Sequence, residues 1–77
     1  MRLRTNIIAV ESLTPHLLAR LLRDRSQIQI SAWYGGRGER EIVTVKAPNP
    51  RITIEASEAN HYFDSFQDVI DYLSYQG

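Results

Sequence analysis

Histidine, serine and carboxylate side chains are the groups in this chain that could carry reaction chemistry, and their placement argues against it. There are two histidines, His16 and His61, and no cysteine. Without cysteine there is no disulfide, no thiol nucleophile and no Cys-based zinc site. A Ser-His-Asp site would need one of the histidines beside a serine and an acid. Neither stands in a nucleophile motif such as G-x-S-x-G. A metal site would have to rest on carboxylates. The expectation is a non-enzymatic protein with no catalytic residues, no metal site and no cofactor, because no residue set supplies nucleophile, base and oxyanion donors even in outline.

Gly35-Gly36-Arg37-Gly38 is the glycine-rich stretch. A phosphate cradle needs a strand, then the loop, then a helix N-terminus whose free N–H groups face the anion. Here both flanks alternate as strands do, which predicts a hairpin turn in which glycine supplies positive φ. The tip would gather Trp33, Tyr34, Arg37 and Arg40. Alternation turns Trp33 away from the Ile28/Ile30 side. An exposed Trp beside Arg is a frequent interface anchor, and the same pair can stack on an unpaired base.

Charge is unevenly spread. The chain has nine Lys+Arg and nine Asp+Glu, a formal net charge of zero. Residues 1–40 hold seven Arg (2, 4, 20, 23, 25, 37, 40) against Glu11, Asp24 and Glu39, a balance of +4. Residues 41–77 hold Lys46 and Arg51 against six acids, a balance of −4. Arg2, Arg4, Arg20, Arg23, Arg37 and Arg40 are therefore the candidates for a nucleic-acid contact. Such a contact would depend steeply on salt.

The opposite pole lies on the last predicted helix. Asp64 and Ser65 are both good caps with Gln67 and Asp68 three residues on, the spacing of a capping box. Phe66, Val69, Ile70 and Leu73 follow at i, i+3, i+4 and i+7 and form the inward arc. Asp64, Asp68, Asp71 and Tyr75 fall on the opposite arc, with Tyr72 at its boundary. Acids near a helix N-terminus are favourable by themselves, which accounts for Asp64 and Asp68. Tyr72 and Tyr75 add contact area of the kind enriched at interfaces. This face suits docking on an Arg/Lys-rich protein.

The elements that must position these residues read as β-α-β-β-β-α. Residues 2–10 alternate loosely, with apolar residues on both faces near the end, which predicts a strand covered on both sides. Leu13-Thr14-Pro15 starts a helix, with Thr14 as cap, Pro15 at the first helical position and Leu13/Leu18 as a staple. Leu17, Leu18, Leu21 and Leu22 form its stripe, and it runs to about Asp24. Residues 27–34, 40–46 and 51–56 alternate as strands. Residues 57–63 are ambiguous, with His61-Tyr62-Phe63 open as an edge strand. A right-handed crossover makes the first two strands parallel. The expected fold is one α+β domain over residues 1–77: a two-layer structure with a four-stranded mixed sheet and two helices on one face.

The α-β-β-β-α portion resembles the element order of a double-stranded-RNA-binding domain. That family implies a basic start to the last helix, where this chain has Asp64, Asp68 and Asp71. The full order is also similar to that of ribosome-hibernation factors, without a matching motif or basic surface. In size and character the chain resembles short accessory proteins of phages and mobile elements, anti-CRISPR inhibitors among them. The expected function is a small regulator, adaptor or inhibitor that binds a protein with a basic surface. RNA or single-stranded nucleic acid is the alternative partner, and pairing into a homodimer is a further expectation. No stretch approaches the roughly 18 apolar residues of a membrane span. The run Ile7-Ile8-Ala9-Val10 behind Met1-Arg2-Leu3-Arg4 is too short for a signal peptide, so the expected location is the cytoplasm.

Overall fold

A computed structural model of the chain describes residues 7–33, 38–47 and 51–75. The order is β1 (Ile7–Ala9), a single 3-10 turn (Val10–Ser12), α1 (Pro15–Asp24), β2 (Gln27–Ala32), β3 (Glu41–Lys46), β4 (Ile52–Glu55), β5 (Asn60–Phe63) and α2 (Phe66–Ser74). Arg2, Arg4, Tyr34 and Arg37 lie outside the described residues.

The five strands form one sheet in the order β1-β2-β3-β4-β5. β1 runs parallel to β2, as the β-α-β step requires, and the remaining pairs are antiparallel. The sheet thus has one strand more than the sequence predicts. The addition is the aromatic segment at residues 60–63, which pairs Ile54 with His61 and Ile52 with Phe63. Four residues are too few for periodicity alone to reveal a strand, and its partner supplies the missing information.

Register puts the large aliphatic residues on one side. Ile30 sits opposite Val43, and Val45 lies between Ile28 and Ile54. These residues, with Ala32 and Ile52, join Val10, Leu13, Leu18, Leu22, Val69 and Leu73 in one buried cluster. Both helices supply that cluster and touch each other, so they lie side by side on the same sheet face. The other face carries Gln29, Ser31, Thr44, Lys46, Thr53 and Glu55, with Ile7, Ile42 and Tyr62 exposed at 46%, 49% and 57%.

The β1 expectation is corrected here. Ile8 faces the core alongside Ile30, but Ile7 pairs with Gln29 on the open face. β1 is an edge strand covered on one side. The leucine stripe of α1 is likewise narrower than expected. Leu18 and Leu22 are buried, whereas Leu17 is exposed.

Both helix starts follow their caps. Thr14 Oγ1 accepts from Leu17 N at 3.1 Å, and Pro15 occupies the first turn. Ser65, rather than Asp64, caps α2: its Oγ accepts from Asp68 N at 3.1 Å. Gly38 takes φ 74°, the left-handed value a glycine turn residue adopts freely.

A one-sided core makes a direct prediction. Ile30→Ala removes fully buried methyl groups and should lower unfolding free energy by about 2–5 kcal/mol. Ile42→Ala, on the open face, should change it by about 0.5 kcal/mol or less. Urea denaturation compares the two, and equal losses would contradict coverage of a single face.

Candidate interaction surfaces

Two of the residues expected at the hairpin tip do come together. Arg40 lies over the Trp33 ring, its guanidinium carbon 4.9 Å from the centroid. The contact belongs to a closed internal network. Arg40 Nε donates to Ser31 Oγ at 3.1 Å, and Nη2 donates to the Ser31 carbonyl at 2.9 Å. Arg40 Nη1 and Trp33 Nε1 both donate to Oε2 of Glu11, the latter at 2.9 Å. Trp33 does not continue the β2 alternation, because the strand ends at Ala32. Its ring packs partly buried against the core, and its backbone N–H donates to the Leu73 carbonyl at 2.8 Å.

Glu11 is the residue the sequence reading missed. It stands 22 residues from Trp33 and 29 from Arg40, so no local pattern joins them. One sign was available: Glu11 is the sole acid before Asp24. Its hydrogen bonds from Arg40 and Trp33 hold its pKa at about 2, against an ordinary 4.5.

On α2, Asp68 and Asp71 are exposed, as is Asp64 just ahead of the helix, and Tyr75 is 62% exposed beyond its end. Asp71 Oδ1 accepts from Gln67 Nε2 at 2.9 Å, an i, i+4 pair along the helix. Asp64 meets Arg51 at 3.4 Å. Tyr72 does not share that outward face. It is half-buried, with its ring 5.3 Å from both the His61 and Phe63 rings of β5. Its aromatic area serves the helix–sheet packing. The predicted acidic surface is therefore Asp64, Asp68, Asp71 and Tyr75 toward solvent, with Tyr72 as the wedge beneath.

Of the Arg candidates, Arg20 and Arg23 are exposed on α1. His16 is exposed on the same helix, and His61 lies in β5 against Tyr72. Among the described residues, no group of three or more His, Asp or Glu side chains could hold a metal ion, and no helix is long and apolar enough to cross a membrane.

The Glu11 network sets an acid-sensitive feature. A carboxylate whose folded pKa is depressed adds stability above its unfolded pKa and loses it as pH falls through the folded value. For Glu11 that window runs from about 4.5 down to about 2. Trp33, the single tryptophan of the chain, reports on it directly. Its emission should shift in this window in the wild type. Glu11→Gln should show the altered emission already at neutral pH and lose this acid-dependent step. Superimposable titrations of the two proteins would refute the network.

No protein-family model matches the chain, and no curated protein or solved structure shows significant similarity to it.

Proposed function

We propose that this chain is a non-enzymatic protein-binding module, a small regulator, adaptor or inhibitor that docks on a partner with an Arg/Lys-rich surface. The observation that carries the reading is the outer face of α2. Asp68 gains from the positive end of the helix dipole, since it lies in the first turn. That benefit falls off within one turn and does not account for Asp71. Nor does folding account for Tyr75, which leaves most of its surface in water. Complementary charge at such a face accelerates encounter and selects the partner.

Nucleic-acid binding through exposed Arg20 and Arg23 is the competing reading. It loses support at Arg40, whose donors are engaged by Ser31 and Glu11.

Tagged protein incubated with a nuclease-treated bacterial lysate at moderate salt should retain a discrete protein. Asp68→Lys/Asp71→Lys should reduce that retention at least tenfold, while circular dichroism stays that of the folded domain. Arg20→Glu/Arg23→Glu should leave it intact. Retention unaffected by the acid reversal would sink this surface. Material lost to nuclease, and dependent on Arg20 and Arg23, would assign the function to the Arg face instead.

A further inference from the structure

The outer edge of β5 has a defined hydrogen-bonding pattern. In an antiparallel ladder, hydrogen-bonded and non-hydrogen-bonded pairs alternate. The β4–β5 hairpin closes with Ala56 N donating to the Ala59 carbonyl at 3.2 Å. Counting along the register, the bonded pairs are then Ile54–His61 and Ile52–Phe63. The N–H and C=O groups of Asn60 and Tyr62 therefore point away from β4. β5 is the last strand of the sheet, and among the described residues β4 alone pairs with it.

Folded proteins blunt exposed edges by keeping them very short, or with lysine, proline or a bulge. Asn60-His61-Tyr62-Phe63 is short, at four residues, but holds no lysine, proline or bulge, and its register runs without interruption. The strand presents two outward peptide groups in regular spacing, together with the exposed Tyr62 ring on the open face.

The flank beside this edge carries two exposed carboxylates, Asp64 and Asp68, the first of them shared with Arg51 at 3.4 Å across a solvent-exposed pair that an added basic side chain would compete for. Tyr72 fixes which side of α2 faces β5, through its contacts with His61 and Phe63. Asp68 lies one turn earlier and about 40° further around the helix toward solvent, next to Tyr72 but on the exposed face. Asp64 follows Phe63 directly. A strand added to β5 would therefore run beside Asp64 and Asp68.

We infer that β5 is a strand-addition site for an extended, Arg- or Lys-bearing segment of a partner protein. The added segment forms main-chain bonds with Asn60 and Tyr62, and its basic side chains on the helix side meet Asp64 and Asp68. Main-chain pairing supplies affinity in this mode, and alternate side chains supply selection. The inference rests on the docking function proposed above and specifies how the partner binds. A second copy of this chain is a poorer occupant, because its own β5 segment, Asn60–Phe63, brings no Lys or Arg to set against Asp64 and Asp68.

The probe is a fluorescein-labelled heptapeptide alternating arginine with valine, followed by fluorescence anisotropy. Two further peptides of the same sequence carry N-methyl groups on alternate amides, one in each phase, and only the one methylated on the amides that face β5 cannot complete the ladder. Tyr62→Pro deletes one outward N–H without removing a bond to β4. The first peptide should bind. N-methylation in one phase, and Tyr62→Pro, should each weaken binding at least tenfold. Asp64→Asn/Asp68→Asn should weaken it severalfold and flatten its salt dependence.

Equal binding of the plain and both N-methylated peptides would overturn strand addition. If the Asp variants still weakened binding, docking through the acidic face would stand without it. If the backbone changes abolished binding and the Asp variants had no effect, the acidic-face reading would fail, and with it the basic occupant proposed here. No binding of the plain peptide would also overturn the inference. A dimer seen by light scattering and dissociated by Tyr62→Pro would assign the edge to a second copy. The N-methylated peptides keep the test decisive even if Tyr62→Pro fails to fold.

Discussion

Everything in this structure depends on a five-stranded sheet that, among the described residues, is covered on one face only. Strands lie about 4.8 Å apart, so five of them span roughly 20 Å. Two helices of about 10 Å diameter, side by side, cover that width and no more. The described residues supply two helices, both on one face, and among them nothing covers the other. Register enforces the choice. The rows Ile8–Ile30–Val43 and Ile28–Val45–Ile54 point inward together. A slip of one residue in any strand would send its aliphatic side chains to water. The Thr, Gln and Ser residues between them remain solvent-facing for the same reason.

Two of the charges in this split are placed by the helices. α1 has Arg23 in its last turn, and α2 has Asp68 in its first turn. Each charge complements the nearby end of its own helix dipole. An Arg-bearing first half and an acidic second half therefore sum to a neutral protein that is locally polarised. What helix electrostatics leaves over is Asp71 and Tyr75, and this remainder directs attention to the outer face of α2. Tyr72, which by sequence belonged with them, is spent on seating α2 against β5.

How much could be read in advance depended on the range of each interaction. Thr14, Pro15 and Ser65 act over three residues, and the helix starts were visible from them. The alternation in β2 and β3 was equally plain, as was the parallel β1–β2 pair that a crossover demands. One feature stayed open and one was misread. β5 is four residues long, and only β4 beside it gives its aromatic residues a phase. β1 looked double-sided because Ile7 and Ile8 are both apolar, yet its place at the sheet edge leaves Ile7 beside Gln29 in water. In the candidate surfaces, the acidic positions of α2 were legible from helical spacing. Glu11 was not, since its partners are far away in sequence and meet it only after the sheet forms.

The two ends of the sheet are consequently unlike. Beyond β1, β2 and β3, Arg40 and Trp33 look from sequence like a free anchor pair. Their polar groups are occupied by Glu11 and Ser31, and the indole rests on the core. A ligand seeking that guanidinium would have to displace a charge-assisted hydrogen bond, which is roughly twice as strong as a neutral one. At the far edge, β5 turns the peptide groups of Asn60 and Tyr62 away from β4, and the pair nearest to it, Asp64–Arg51 at 3.4 Å, is exposed to solvent. α2 connects the two, touching β5 through Tyr72 and the end of β2 through Leu73. The same helix that leans on the closed corner through the Trp33–Leu73 bond thus fixes where the acids stand along the open edge. Glu11 bears on the position of α2 only indirectly, through its hydrogen bond from Trp33 at the corner where Leu73 is held.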